Sequence, residues 1–105
     1  MTTNTLVLKL LEAKDMYGYQ IIEELSQKSE DIFRLKTGTL YPILHGLENS
    51  SMVTSYDTIA DGRIRKYYKI TNKGKQFLTE KENEWAAYTR AVGLVLEGGA
   101  NYAFV

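Results

Sequence analysis

The stretch from Lys36 to Leu47, KTGTLYPILHGL, decides how this chain folds. Leu40, Ile43, Leu44 and Leu47 recur at i, i+3, i+4 and i+7, the spacing that lines four aliphatic side chains along one stripe of an α-helix. That stripe faces a core. Thr37, Thr39, Tyr41, His45 and Glu48 fall off it, and Tyr41, His45 and Glu48 neighbour one another on the helix surface at i, i+4 and i+7. A helix that keeps its aliphatics apart from hydroxyls, a phenol and an imidazole presents its second face to a partner. Thr37 and Thr39 both qualify to open it, because a threonine oxygen accepts from the free amides of a first turn. Pro42 favours Thr39, which puts the missing proline N–H in the first turn, where it costs little.

Two helices precede this stretch. In TNTLVLKLLEA, residues 3–13, Leu6 pairs with Leu10 and Val7 with Leu11 at i+4, giving an almost wholly apolar cylinder that must be covered on most sides. Lys14-Asp15 breaks the pattern. Tyr17-Gly18-Tyr19 then leads into a second helix over about 17–28, with Ile21, Ile22 and Leu25 inward and Glu23, Glu24 and Lys28 outward. The polar segment Ser29 to Leu35 connects it to the third.

Beyond Asn49-Ser50-Ser51 the period changes from helical to alternating. Val53–Tyr56 and Arg65–Ile70 read as two strands, with a loop from Asp57 to Ile64 whose turn signal is Asp61-Gly62. Arg63, Arg65, Lys66 and Lys69 lie in or just past this loop and make a basic hairpin. Tyr67 and Tyr68 point to opposite faces, so one of them belongs to the core. Thr71 is placed to cap a last helix running from Asn72 to about Leu96, with Gly98-Gly99 as its stop and an apolar tail after it. At ~1.5 Å per residue that helix is roughly 37 Å long, more than so small a domain covers. Leu78, Lys81, Trp85, Tyr88, Val92 and Val95 step along it by three and four, a coiled-coil seam apart from Lys81. An exposed seam of this kind predicts a homodimer.

Composition narrows the function. A chain of 105 residues, 44% hydrophobic, suffices for one modest core. There is no cysteine and one histidine, no glycine loop that cradles phosphates and no carboxylate cluster at metal-ligand spacing, so neither an enzyme nor a metal or cofactor site is expected. No run approaches the ~20 apolar residues of a membrane span, and no charged segment with an apolar signal core opens the chain, which predicts a cytoplasmic protein with no membrane partner. Net charge is zero, and alone that argues against nucleic acid. Its distribution argues the other way. Residues 36–75 hold seven basic and three acidic side chains, whereas 1–35 hold four and six, and 76–105 hold two and four. A basic patch on an otherwise acidic molecule steers a polyanion while limiting nonspecific adhesion.

The order helix, helix, helix, strand, basic loop, strand, long helix is that of a winged helix-turn-helix. The class is α+β, mostly α, with residues 1–71 as the DNA-binding domain, 72–97 as a dimerisation helix and 98–105 as a tail. In this layout the third helix enters the major groove and the hairpin reaches the adjacent phosphates. Lys36, Thr37, Thr39, Tyr41 and His45 are the candidate contacts on the helix, and Arg63, Arg65, Lys66 and Lys69 those on the hairpin. Most charge clusters are simply solvated, but on the projecting loop of this layout they point to phosphate contact. For His45 an ordinary exposed histidine and a base or phosphate contact stand level. Tyr41 suits the DNA backbone better than a base.

Tyr17-Gly18-Tyr19, Gly38-Thr39-Leu40-Tyr41-Pro42, Leu47-Glu48, Arg65-Lys66-Tyr67-Tyr68, Ile70-Thr71 and Gly74 together resemble the PadR family of transcriptional regulators, over about residues 3–96, in its branch with a single C-terminal dimerisation helix. The resemblance implies a dimeric repressor on a palindromic operator in double-stranded DNA, released in some members by small aromatic or hydrophobic ligands. In the multidrug-responsive branch a tryptophan at the position of Trp85 stacks planar ligands across the dimer axis, and Asn4, Leu8 and Thr89 fall near that pocket. Read from the residues alone, Trp85 is more ordinarily dimer core. The chain departs from the family pattern at Gln20, where glutamate is usual, and at Ser51, where glycine commonly closes the third helix. The rival to a DNA-binding regulator is a dimeric winged helix that senses a ligand or binds a protein without DNA.

Overall fold

The core begins with the apolar cylinder at the N-terminal end. In the computed structural model, which describes residues 1–102, helix α1 (Thr3–Ala13) buries Val7, Leu8, Leu10 and Leu11, and the other elements surround it. A two-residue strand β1 (Met16–Tyr17) leads directly into helix α2 (Gly18–Lys28), which contributes Ile21 and Leu25. Helix α3 (Thr37–Asn49) sets Leu40, Leu44 and Leu47 into the same core, with Ile43 half-buried beside them. Strands β2 (Val53–Ala60) and β3 (Arg63–Ile70) add Val53, Tyr68 and Ile70, and helix α4 (Asn72–Tyr102) adds Leu78. The antiparallel sheet runs β1-β3-β2. This is a winged helix-turn-helix, α+β and mostly α, with a long C-terminal helix.

Four expectations change on the structure. The hairpin is strand almost to its tip. The segment read as a loop from Asp57 pairs residue for residue, Asp57 with Lys66 and Ala60 with Arg63, leaving Asp61-Gly62 as a two-residue turn. Both turn residues have positive φ, 53° and 73°, the conformation whose twist matches the flanking strands. Strand β1 was not foreseen, because two residues carry no period; pairing of Met16 with Tyr68 and Tyr17 with Tyr67 defines it. Third, α3 starts at Thr37 with Lys36 as N-cap and no side-chain cap, so neither threonine plays that part. Pro42 therefore lies inside the helix, where the bond it cannot donate would have gone to the carbonyl of the exposed Gly38. Starting one turn earlier lets the amides of Thr39 and Leu40 bond Lys36 O at 3.0 and 2.9 Å.

Finally, α4 runs on through Gly98-Gly99 to Tyr102. Glycine in a helix costs about 1 kcal/mol against alanine but obstructs nothing. The proposed tail thus begins inside the helix, and residues 103–105 lie outside the described residues.

Helix ends carry the precision of this fold. Ser51 has φ +61° and closes α3 in a Schellman arrangement, its amide on Glu48 O and that of Met52 on Leu47 O, both at 2.9 Å. It occupies the left-handed conformation without glycine's freedom. Thr71 caps α4 by accepting from Gly74 N at 3.0 Å, as the sequence suggested. A Cβ on Gly74 would collide with the carbonyl oxygen of Met52 and with Ile70.

Two stability predictions follow from these positions. Ser51→Gly should raise stability by about 1 kcal/mol by relieving the left-handed strain, whereas Gly74→Ala should lower it by about 1–3 kcal/mol because backbone must shift; thermal melts compare the two directly. Burial, with Glu48 adding to it, holds the Tyr68 phenol above its ordinary 10.0, so the neutral phenol is favoured in the folded state. That contribution is complete below pH 10.0 and disappears as pH rises through the higher folded value. The melting temperature should drop steeply in alkali, and Tyr68→Phe should flatten the drop.

Candidate nucleic-acid interface

Gly18 is the seat of α3. A Cβ there would meet the Tyr41 hydroxyl and ring, so the half-buried Tyr41 rests its phenol directly on the start of α2. Tyr41 is thereby a packing residue with one edge exposed. His45 stands one turn further along, its ring 6.4 Å from that of Tyr41. Lys36, Thr37, Thr39 and His45 are exposed. Glu48 is turned to the sheet and accepts from Ser55 Oγ at 2.9 Å, which removes it from the outer face.

An open groove of about 470 Å³ lies between α3 and the hairpin, bounded by Tyr41 and His45 on one side and Arg63, Ile64 and Lys66 on the other. Its floor includes Tyr19, which is 68% exposed and also borders Thr37 and Pro42. Sequence reasoning passed over Tyr19. Its signal was present: a tyrosine two residues before Ile21 falls off the apolar stripe of α2 and so had to face outward.

Strand alternation divides the four hairpin cations, which the charge count had treated as one cluster. Lys66 shares a face with Tyr68 and so lies toward α3, while Arg63, Arg65 and Lys69 belong to the other face. On that outer face Arg65 sits over the Tyr17 ring, 4.5 Å from its centre. Tyr17 meets Tyr67 edge-on at 5.5 Å, and Tyr67 stacks on Tyr56 at 5.8 Å. Tyr56 donates to Asp15 at 2.7 Å, and this carboxylate holds the phenol above the usual tyrosine range. Arg65 therefore also braces the root of the hairpin. Among the described residues no ion pair engages Lys36, Arg63, Arg65, Lys66 or Lys69; the pairs present lie elsewhere, on Lys9, Lys28, Arg34 and Lys81.

The C-terminal helix forms a second surface. Trp85, Tyr88, Val92 and Val95 are exposed, as are Leu94 and Leu96 outside the expected seam, and the Trp85 and Tyr88 rings stack at 5.8 Å. Leu78 is a correction: it is fully buried in the chain's own core, because the first turns of α4 pack on α1 before the helix leaves the domain. Lys81 is half-buried, with its ammonium 5.3 Å from the Phe77 ring centre and 3.1 Å from Glu84. A cleft of about 880 Å³ separates this helix from the N-terminal end of α1 and is lined by Thr2, Thr5, Phe77, Lys81, Trp85 and Tyr88 among others. Of the four effector positions only Trp85 is in that lining. Leu8 is fully buried, Asn4 lies outside the cleft, and the Thr89 hydroxyl is bonded back to Trp85 O at 2.9 Å. Among the described residues no helix is long and apolar enough to cross a membrane, and no group of acidic or histidine side chains is arranged to hold a metal ion.

Comparison with known proteins agrees with this architecture. The chain is 35% identical over 78 residues to the transcriptional regulator Rv3488 of Mycobacterium tuberculosis, covering 74% of this chain and 70% of that one. A PadR family transcription regulator from Clostridium difficile superposes with a TM-score of 0.77 at 36% identity, covering 89% of this chain and 96% of that one. A transcriptional regulator from Clostridium thermocellum gives a TM-score of 0.79 at 30% identity, covering 87% and 89%. The model of the transcriptional regulator PadR-like family matches residues 7–80, and this chain belongs to that family.

Proposed function

We propose that the protein is a dimeric, sequence-specific DNA-binding transcriptional regulator of the cytoplasm that represses from a palindromic operator. The observation that carries this reading is the groove between α3 and the hairpin. Among the described residues none of its cations is held in an ion pair, and its helix face offers hydroxyls, an imidazole and a phenol where base edges and phosphates lie in a winged-helix complex. The uncapped N-terminus of α3 adds free amides at the same edge. Two copies joined through Trp85, Tyr88, Val92 and Val95 set two reading helices at a fixed spacing, which suits a two-fold symmetric site.

Duplex binding measured by fluorescence anisotropy across a salt series tests this. Affinity should fall linearly in log salt. Lys66→Ala should weaken binding to all sequences and reduce the slope by about 0.9, whereas His45→Ala should weaken the operator more than random DNA. Absence of binding at low salt would leave the DNA-free module as the better reading.

The second part of the proposal concerns release. A small aromatic or hydrophobic ligand in the cleft beside Trp85 lowers operator affinity by changing the angle between subunits, which requires that it bind the two arrangements unequally. Val92→Asp with Val95→Asp should give monomers of unchanged helicity that lose operator affinity. In the wild-type dimer, a ligand that quenches Trp85 should weaken operator binding in the same concentration range; quenching with operator affinity unchanged counts against the coupling.

A further inference from the structure

Ile32 and Phe33 stand on the loop between α2 and α3, 76% and 44% exposed, and neither borders the groove at α3 or the cleft at α4. A lone apolar residue on a surface is ordinary. This pair, however, sits on a loop built to hold it. Glu30 and Asp31 both take positive φ, 53° and 66°, a conformation that residues with a side chain seldom adopt and that surrounding bonds must impose. Those bonds are present. Asp31 N donates to Ser26 O at 2.8 Å, Ile32 N to Ser29 O at 3.1 Å and Phe33 N to the Ser29 hydroxyl at 2.9 Å, while the Ser26 hydroxyl donates to the Asp31 carboxylate. The core gains nothing from this, since Leu35 packs against it and Ile32 and Phe33 do not. A loop ordered in advance gives up little entropy when something covers its apolar pair.

The charges beside the pair decide what fits it. Lys28, Glu30, Asp31 and Arg34 give two of each sign, and Arg34 lies 3.4 Å from Asp31. An acidic rim would repel its own copy and a basic one would follow phosphates, whereas this neutral rim does neither. About a two-fold axis through the apolar pair, each Asp31–Arg34 ion pair meets its own image with the signs opposed. Resting on the reading of the protein as a DNA-binding dimer, we propose that this loop is the contact between two dimers side by side on one duplex, each loop covering that of the neighbouring copy. Two side chains from each copy bury far less than the ~1,200 Å² of a stable interface, so the contact does not hold dimers together in free solution. On one duplex the neighbours are tethered at an effective concentration on the order of mM, where a small contact suffices. Position suits this role. The loop enters the first turn of α3, while β2 leaves from the far end ~20 Å away, so the groove between α3 and the hairpin stays free for DNA.

Native gel mobility on duplexes carrying one or two copies of an operator selected from a random pool tests the contact. With the separation of the two copies scanned across one turn of ~10.5 base pairs, the wild type should fill its second site about tenfold more tightly than its first at the spacing that joins the loops. I32S/F33S should match the wild type on the single-operator duplex, in circular dichroism and as a dimer on sedimentation, yet fill the two copies independently. Arg34→Glu, which sets carboxylate against carboxylate across the axis, should lose the gain as well. I32V/F33L, which keeps the apolar pair, should retain it. Independent filling by the wild type at every spacing, or an undiminished gain in I32S/F33S, would overturn the contact while DNA binding stands. A loss of single-operator affinity in I32S/F33S would assign the pair to DNA and overturn it too. Failure of the wild type to bind any duplex removes the reading on which the contact rests, and the contact with it.

Discussion

Four elements meet at one knot of backbone, and the geometry of both contact surfaces depends on it. The Met52 carbonyl accepts from Thr71 N at 3.0 Å, and the Ser51 carbonyl accepts from the Thr71 hydroxyl at 2.7 Å. Thr71 in turn caps α4 through Gly74, whose missing side chain lets the helix start against Met52. The end of α3, the start of β2, the end of β3 and the start of α4 are thereby joined within a few residues. Such a knot leaves little freedom in the angle between α3 and the C-terminal helix. In the proposed dimer, a rotation of α4 would carry α3 with it, which is the condition for the proposed release from DNA.

A similar constraint holds the other edge of α3. Strand β1 is too short to stay paired by its own hydrogen bonds, yet it joins α1 to α2 and so positions the floor of the groove. The outer face of the sheet supplies what is lacking. Tyr17, Tyr67 and Tyr56 contact one another in sequence, Arg65 covers the Tyr17 ring, and Asp15 ties the last phenol back to the turn before β1. Aromatic pairs contribute about 0.5–1.5 kcal/mol each beyond their area. Gly18 follows immediately, and Tyr41 rests on it, so the brace extends to α3 through two tyrosines and a glycine.

Most of this architecture was legible where a period or a turn rule acts. The stripe from Leu40 to Leu47, the apolar α1, the Asp61-Gly62 turn and the Thr71 cap each follow from local physics, and the structure contains all of them. Illegible were features fixed by distant partners. No pattern reveals a two-residue strand, and nothing local says that Leu78 packs on α1 and not on a partner, since a seam and a core demand the same residue type. Rules for proline put the start of α3 a turn too late, because an earlier start gives the amides of Thr39 and Leu40 the Lys36 carbonyl while Pro42 forgoes one bond. The charge count located the hairpin cations but ignored alternation, which separates Lys66 from Arg65. Ser51 shows the reverse case: the departure from glycine was visible in the sequence, and the backbone nevertheless kept the left-handed turn. The Schellman bonds it makes outweigh the strain it carries.

The two surfaces of the molecule differ in what they ask of a partner. The groove at α3 is polar and basic on a chain of zero net charge, so attraction there is local and fades within about 10 Å at 0.1 M salt. The far half of α4 is apolar along Trp85, Tyr88, Val92 and Val95, and Leu94 and Leu96 widen the stripe beyond a two-helix seam. A partner helix alone covers one face of such a rod; burying the rest takes a broader contact. Trp85 belongs both to this stripe and to the cleft against α1, and its ring already stacks on Tyr88. In the proposed dimer, a flat molecule entering the cleft would therefore compete with, or add to, the packing between copies. Occupancy and subunit angle would share one side chain there, and the knot at Met52 would pass that angle on to α3.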